Sequence, residues 1–192
     1  MLPRMTLPLL QRAAALSIVA GLLAVACSSS SSPAQAYAKV VLAPGANNAM
    51  CAYQSDMTVL AVGSAASPND PTRVATGTQG DHVACTVHPD GSNFDISLDV
   101  GTSGATSAEL IVTGQVSATG STTLTADVSL SSGNNAVAGY GATMTCTFTP
   151  TQNTAATRIW GQLSCPSATN SIGGGTDTCA IEATILFEYC SS

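Results

Sequence analysis

Seven cysteines, two histidines and eleven acidic side chains carry most of the reactive chemistry available to this 192-residue chain. Cys51, Cys85, Cys146, Cys165, Cys179 and Cys190 lie in the body of the sequence, with Cys27 apart near the N-terminus. No two are spaced Cys-x-x-Cys, and His82 and His88 form no ligand-spaced cluster with them, so the pattern is not that of a structural zinc site. An even number in a body of this size points instead to three disulfides formed in an oxidising compartment. No resident metal and no cofactor are expected. His82 and His88 are the bases that a serine hydrolase could use. The nearest approach to a nucleophile elbow, Gly101-Thr102-Ser103-Gly104-Ala105, lacks its final glycine. Histidines at strand ends beside a turn are the plainer reading, and no catalytic residue is assigned.

The carboxylates give little more. Glu182 and Glu188 share a face of one predicted strand, but six residues of strand span about 20 Å, too far for one acid–base pair. Asp90, Ser92, Asn93, Asp95 and Asp99 gather oxygen ligands around one turn but lack the spacing of a twelve-residue calcium loop. Trp160, the one tryptophan, points away from Ile159 and Leu163 by alternation. It belongs either to a second buried face or to an exposed contact for a partner.

Period-two alternation sets the elements that would position these residues. Val83, Cys85 and Val87 alternate with small or polar neighbours, Pro89-Asp90-Gly91-Ser92 supplies a turn, and Phe94, Ile96, Leu98 and Val100 return on one face. Leu110, Val112 and Val116 follow, with Gly114 marking a bulge or bend. Then come Leu124, Ala126, Val128 and Leu130, and after the loop at 131–135 the inward set Met144, Cys146 and Phe148. A Thr/Asn-rich connection leads to Ile159, Leu163 and Cys165, and 179–190 reads as a long last strand. Shorter strands are expected at 39–42 and 58–62, with a turn at Asn69-Asp70-Pro71. With no amphipathic helix and abundant Val, Ile and Thr, eight or nine short strands imply an all-β fold. The expected form is a disulfide-stapled antiparallel β-sandwich, with a β-barrel as the alternative. Placement on these strands suggests Cys165–Cys179 across a late hairpin, then Cys146–Cys190 and Cys51–Cys85.

The N-terminus reads as an address. Arg4 and Arg12 precede an apolar run at 13–26; fourteen helical residues rise about 21 Å, short of the roughly 30 Å hydrocarbon core. A secretory signal fits better than a spanning helix. The run ends in Leu23-Ala24-Val25-Ala26-Cys27, which resembles the lipobox of bacterial lipoproteins. That resemblance implies a signal peptide at 1–26 and an acylated Cys27, with Ser28 pointing to the outer membrane in a diderm cell. Ser28–Pro33 has nothing to bury and reads as a flexible tether, so 27–36 is taken as lipidated cysteine plus tether and 37–192 as a single β domain. The late segment, with Trp160-Gly161, Cys165-Pro166, Cys179 and Phe187-Glu188-Tyr189-Cys190, is similar to the C-terminal half of small cysteine-containing bacterial lipoproteins. It is also similar to actinobacterial surface lipoprotein antigens, which carry fewer cysteines and supply no catalytic residue.

From Cys27 onward only Lys39, Arg73 and Arg158 oppose all 11 acids, a net charge of −8. Three scattered cations cannot neutralise a run of phosphates, so nucleic acid is excluded as a partner. Docking on anionic lipid by charge is equally disfavoured. The leading expectation is a non-enzymatic, lipid-anchored cell-envelope β module with a structural or partner-binding role. It is joined to the membrane through its N-terminal lipid and takes a protein partner not identified by the sequence. The alternatives are a carrier for a small apolar ligand and, after it, an exported hydrolase using His82 or His88.

Overall fold

A computed structural model describes residues 32–44, 51, 55–65, 69–104, 107–132, 140–169 and 178–192, with the side chains of 125–132 and 140–144 outside that description. The segment read as a signal peptide, Cys27 and most of the segment read as a tether lie outside the described residues. So do the side chains of Ala126, Val128, Leu130 and Met144 and residues 133–135 of the expected loop, whose first two residues belong to a strand.

The described chain is all strand and turn. In order the strands are β1 (Gln35–Ala43), β2 (Met57–Val62), β3 (Val74–Ala75), β4 (Asp81–Asp90), β5 (Asn93–Thr102), β6 (Ala108–Ser117), β7 (Thr122–Ser132), β8 (Tyr140–Ala155), β9 (Arg158–Thr169) and β10 (Thr178–Glu188). They form one antiparallel sheet in the order β2-β1-β10-β9-β8-β7-β6-β5-β4, with β3 pairing to β1. The sheet folds over on itself, so that β1 and β2 at one end meet β4, β5 and β6 at the other. It is sandwich-like and does not close into a barrel, because β2 and β4 remain the two ends of the strand order.

Alternation decides which face goes inside. Val83, Cys85 and Val87 of β4 stand opposite Val100, Leu98 and Ile96 of β5, and all six are buried. Gly91 takes φ 62° in the two-residue connection between them, a backbone that suits the twist of a tight hairpin. On the other side of the core, Ala36, Ala38, Val40 and Leu42 of β1 lie opposite Phe187, Ile185, Ala183 and Ile181 of β10. The same β10 residues pair with Ile159, Gly161, Leu163 and Cys165 of β9. One continuous apolar cluster results, with Phe148 and Phe187 its largest fully buried side chains.

Three expectations give way here. β1 starts at Gln35, inside the segment read as tether, because Ala36 is fully buried and Gln35 pairs with both Ala75 and Glu188. The Thr/Asn-rich connection after Phe148 is mostly strand: β8 runs on to Ala155, with register shifts around Gln152 that accommodate Pro150, which has no N–H for the ladder. The last strand ends at Glu188, not at Cys190. Tyr189 takes a left-handed φ of 58° and turns the chain out of the sheet.

The cysteines pair as Cys51–Cys179, Cys85–Cys190 and Cys146–Cys165, so all six are oxidised but none of the expected partnerships is correct. Register explains each change. In the β9–β10 ladder Cys165 stands opposite Ile181 and Cys179 opposite Ala168, so these two cysteines are offset along the strands. In the β8–β9 ladder Thr147 pairs with Ser164, which brings Cys146 directly opposite Cys165, with Cα atoms 4.3 Å apart. The turn at Tyr189 carries Cys190 across to β4. There Ser191 N–H donates to the Cys85 carbonyl at 3.1 Å and the Ser191 carbonyl accepts from Val87 N–H at 2.9 Å. Three disulfides are consistent with an oxidising, extracytoplasmic compartment.

The three bridges close loops of very different length, with sequence separations of 128, 105 and 19. Loop-closure entropy assigns about 5 kcal/mol to each long closure and about 3 kcal/mol to the short one. Replacing Cys85 and Cys190 together by Ala should therefore lower the unfolding free energy by about 1–2 kcal/mol more than replacing Cys146 and Cys165 together, as measured by urea unfolding under non-reducing conditions.

Candidate functional site on the outer sheet face

The face of β1, β10, β9 and β8 turned away from the core carries two consecutive rungs of side chains. One runs Tyr37, Leu186, Trp160 and Gln152; the next runs Lys39, Thr184, Gln162 and Thr149. A sandwich normally leaves such a face to solvent. Yet Trp160 is 5% exposed, Tyr37 6% and Leu186 0%, and the three form a second apolar cluster.

The cover comes from the connection between β2 and β3. Ser64 and Thr72 exchange backbone hydrogen bonds of 3.0 and 2.8 Å. This folds the connection into a loop that places Ala65 and the buried Pro71 over Tyr37 and Trp160. Of the two placements open to Trp160, the structure takes the second buried face: Ile159 and Trp160, neighbours pointing in opposite directions, are both buried. Burial also pushes the Tyr37 phenol above its ordinary value of 10.0.

Between this loop and the sheet lies a hollow of about 340 Å³, with Trp160 and Tyr37 at its base and Lys39, Gln162, Thr184 and Thr151 on its polar side. Charge gathers beside it. Glu188, at the end of β10, meets Arg73 Nε at 3.1 Å through one oxygen and Arg158 Nε at 3.0 Å through the other. Arg73 also reaches Asp70 at 3.0 Å, and the Arg158 guanidinium stands 5.4 Å above the Trp160 ring, a cation–π contact. Glu188 is therefore not a solvated carboxylate; its side chain is only 18% exposed. Glu182 lies further along β10 and accepts a hydrogen bond from Ser164 Oγ at 2.8 Å.

All three cations that follow Cys27 thus stand on this one side of an acidic body: Lys39 in the hollow, Arg73 and Arg158 at its rim. Aromatic edges, an amide, hydroxyls and an ammonium group can hold a polar surface by contact and hydrogen bonding. They do not assemble a nucleophile, a base and an acid.

The two histidines do share a face, the outer side of β4, but they do different things. His88 is exposed opposite Asp95. His82 gives its Nε2 to Asp99 Oδ1 at 2.8 Å and to Glu109 Oε1 at 3.3 Å, so the nitrogen a hydrolase would aim at a serine is engaged with carboxylates. Beside it, desolvation pushes the Asp81 carboxyl above its ordinary value of 3.8, against the opposing pull of His82. The oxygen-rich turn does not converge on one point. Gln115, from β6, donates to Asp90 and Asp95 at 2.9 and 3.2 Å and accepts from Asn93 at 3.1 Å, whereas Asp99 belongs with His82.

Because Trp160 is enclosed by its neighbours, its truncation reads out as lost packing. Trp160→Ala should cost about 3–5 kcal/mol in urea unfolding of the oxidised protein, whereas Gln162→Ala, exposed one rung away, should stay within about 0.5 kcal/mol of wild type. No protein-family model, no curated protein and no solved structure matches this chain.

Proposed function

We propose that the chain is a lipid-anchored protein of a bacterial cell envelope, a non-enzymatic β module that serves as a rigid scaffold and binds a protein partner through the outer face of β1, β10 and β9. The observation that carries this reading is the set of three buried disulfides, which cross-link the module at both ends of its last strand and between β8 and β9. Such bridges form in an exported protein. The lipobox-like sequence ending at Cys27 supplies the route out and the anchor, and the serine run after it supplies the reach.

Partner binding draws its support from the hollow over Trp160 and Tyr37, where the body's three cations collect on an otherwise acidic surface. A scaffold with a preformed, covalently braced surface loses little conformational freedom on association. Lys39, the one of these cations that no carboxylate engages among the described residues, favours a partner with an acidic group beside an apolar centre.

Intact mass of the protein purified from membranes tests the anchor and the bridges together, before and after alkylation under denaturing, non-reducing conditions. The expected result is an N-terminal Cys27 carrying acyl chains and no alkylatable thiol. An unmodified N-terminus in membrane-extracted protein, or alkylation at any of the six body cysteines, would overturn the reading.

A further inference from the structure

We infer that His82, Asp99 and Glu109 form a binding site for a first-row divalent cation such as Zn²⁺, on the outer face of β4, β5 and β6. The ligand atoms are already gathered: His82 Nε2 stands 2.8 Å from Asp99 Oδ1 and 3.3 Å from Glu109 Oε1, and all three atoms lie within 4.8 Å of one another. An ion held by bonds of about 2.0–2.2 Å places neighbouring ligand atoms about 3–3.5 Å apart, so a small opening of the pair contacts would admit it.

The sheet brings these residues together through a specific device. His82 and Glu109 sit on β4 and β6, both opposite Gly101 of the intervening β5. Two strand spacings separate their backbones, roughly 9–10 Å. The imidazole crosses that gap by lying over Gly101: a Cβ there would stand 2.3 Å from the ring Cε1 and 2.7 Å from the Ala108 carbonyl. Any other residue at position 101 would push the ring off Glu109. A glycine within a strand weakens it, and this one makes the three-strand cluster possible.

Charge points the same way. Every cation of the body is committed to the β1–β10–β9 side, and among the described residues neither Asp99 nor Glu109 is paired with Lys or Arg. Asp99 and Glu109 bring two carboxylates to one point, and a divalent ion would cancel their charge. One nitrogen and two oxygens select zinc, manganese or a similar ion over calcium, which takes oxygen alone. All three side chains are about two-fifths exposed, leaving room for water or a partner's donor atom to complete the coordination. The site is independent of the anchor and of the hollow over Trp160.

Calorimetric titration of the oxidised, tag-free full chain with Zn²⁺ alone tests this. Wild type should take up one ion per chain, and His82→Ala and the near-isosteric Glu109→Gln should each weaken uptake by about tenfold or more. Gly101→Ala should weaken it as well, and His88→Ala should not, with native disulfides checked in each variant by the absence of free thiol. The site is refuted if wild type takes up no ion, or if Glu109→Gln with intact disulfides binds as tightly as wild type. A loss at His88→Ala equal to that at His82→Ala would also overturn it.

Discussion

β10 is the strand on which the remainder of the fold depends. It pairs along its length with β1 on one side and β9 on the other, and it supplies Ile181, Ile185 and Phe187 to the centre of the core. Two of the three disulfides end on it or just past it, Cys179 as its second residue and Cys190 after its last residue. Its outward side carries Leu186 into the second apolar cluster and Glu188 between two arginines. Remove it and β1, β2 and β3 lose their hydrogen-bonded connection to the rest of the sheet, because β1 joins the ladder of the other strands only through it. In a chain with 4% aromatic residues, few bulky side chains are available to hold two layers together. Covalent bridges placed at this strand do part of the work that large side chains do elsewhere.

The two outer faces of the folded sheet are used in opposite ways. Over β1, β10 and β9 a returning loop adds a partial third layer, buries an aromatic pair and gathers the cations. Over β4, β5 and β6 no such cover is seen among the described residues, and the face carries histidines, carboxylates and amides linked across strands. The Gln115 amide, bridging Asp90, Asn93 and Asp95 near one hairpin tip, and the His82 imidazole, spanning Asp99 and Glu109 at the other end, are both polar links between three strands. They take the place of the salt bridges that a body with three cations cannot supply.

Much of the fold was legible in the residues, and particular elements show why. The β4–β5 hairpin follows from an alternation of Val83, Cys85 and Val87 with a tight turn, a local pattern whose register is fixed by its own connection. The inward sets of β6, β9 and β10 follow from the same period. Cysteine pairing was not legible, since it depends on registers between strands far apart in sequence. A hairpin between Cys165 and Cys179 looks natural until the ladder offsets them. Trp160 was half legible: alternation gave its direction, but the loop carrying Pro71 that covers it has no periodic signature. The joining of His82 with Glu109 left a trace only in retrospect, in a glycine at position 101 of an otherwise regular strand. Its function depends on a strand lying between the two residues it lets meet.

The place of β10 has a consequence for when this molecule can exist. Gln35 pairs with Glu188, so one edge of the first strand finds its partner only in the last. Contacts of such long sequence separation make a slow-folding topology, because the entropy of closing the chain is lost before the contacts form. A chain passing through a membrane from its N-terminus would deliver β1 first, with β2 and β3 soon after to pair one edge, and hold its other edge open until nearly every other residue had followed. The small β4–β5–β6 meander can assemble from neighbours in the meantime, and the Cys146–Cys165 bridge joins adjacent strands. The two long bridges cannot close until the final segment arrives, and their closure then marks the arrival of the whole chain.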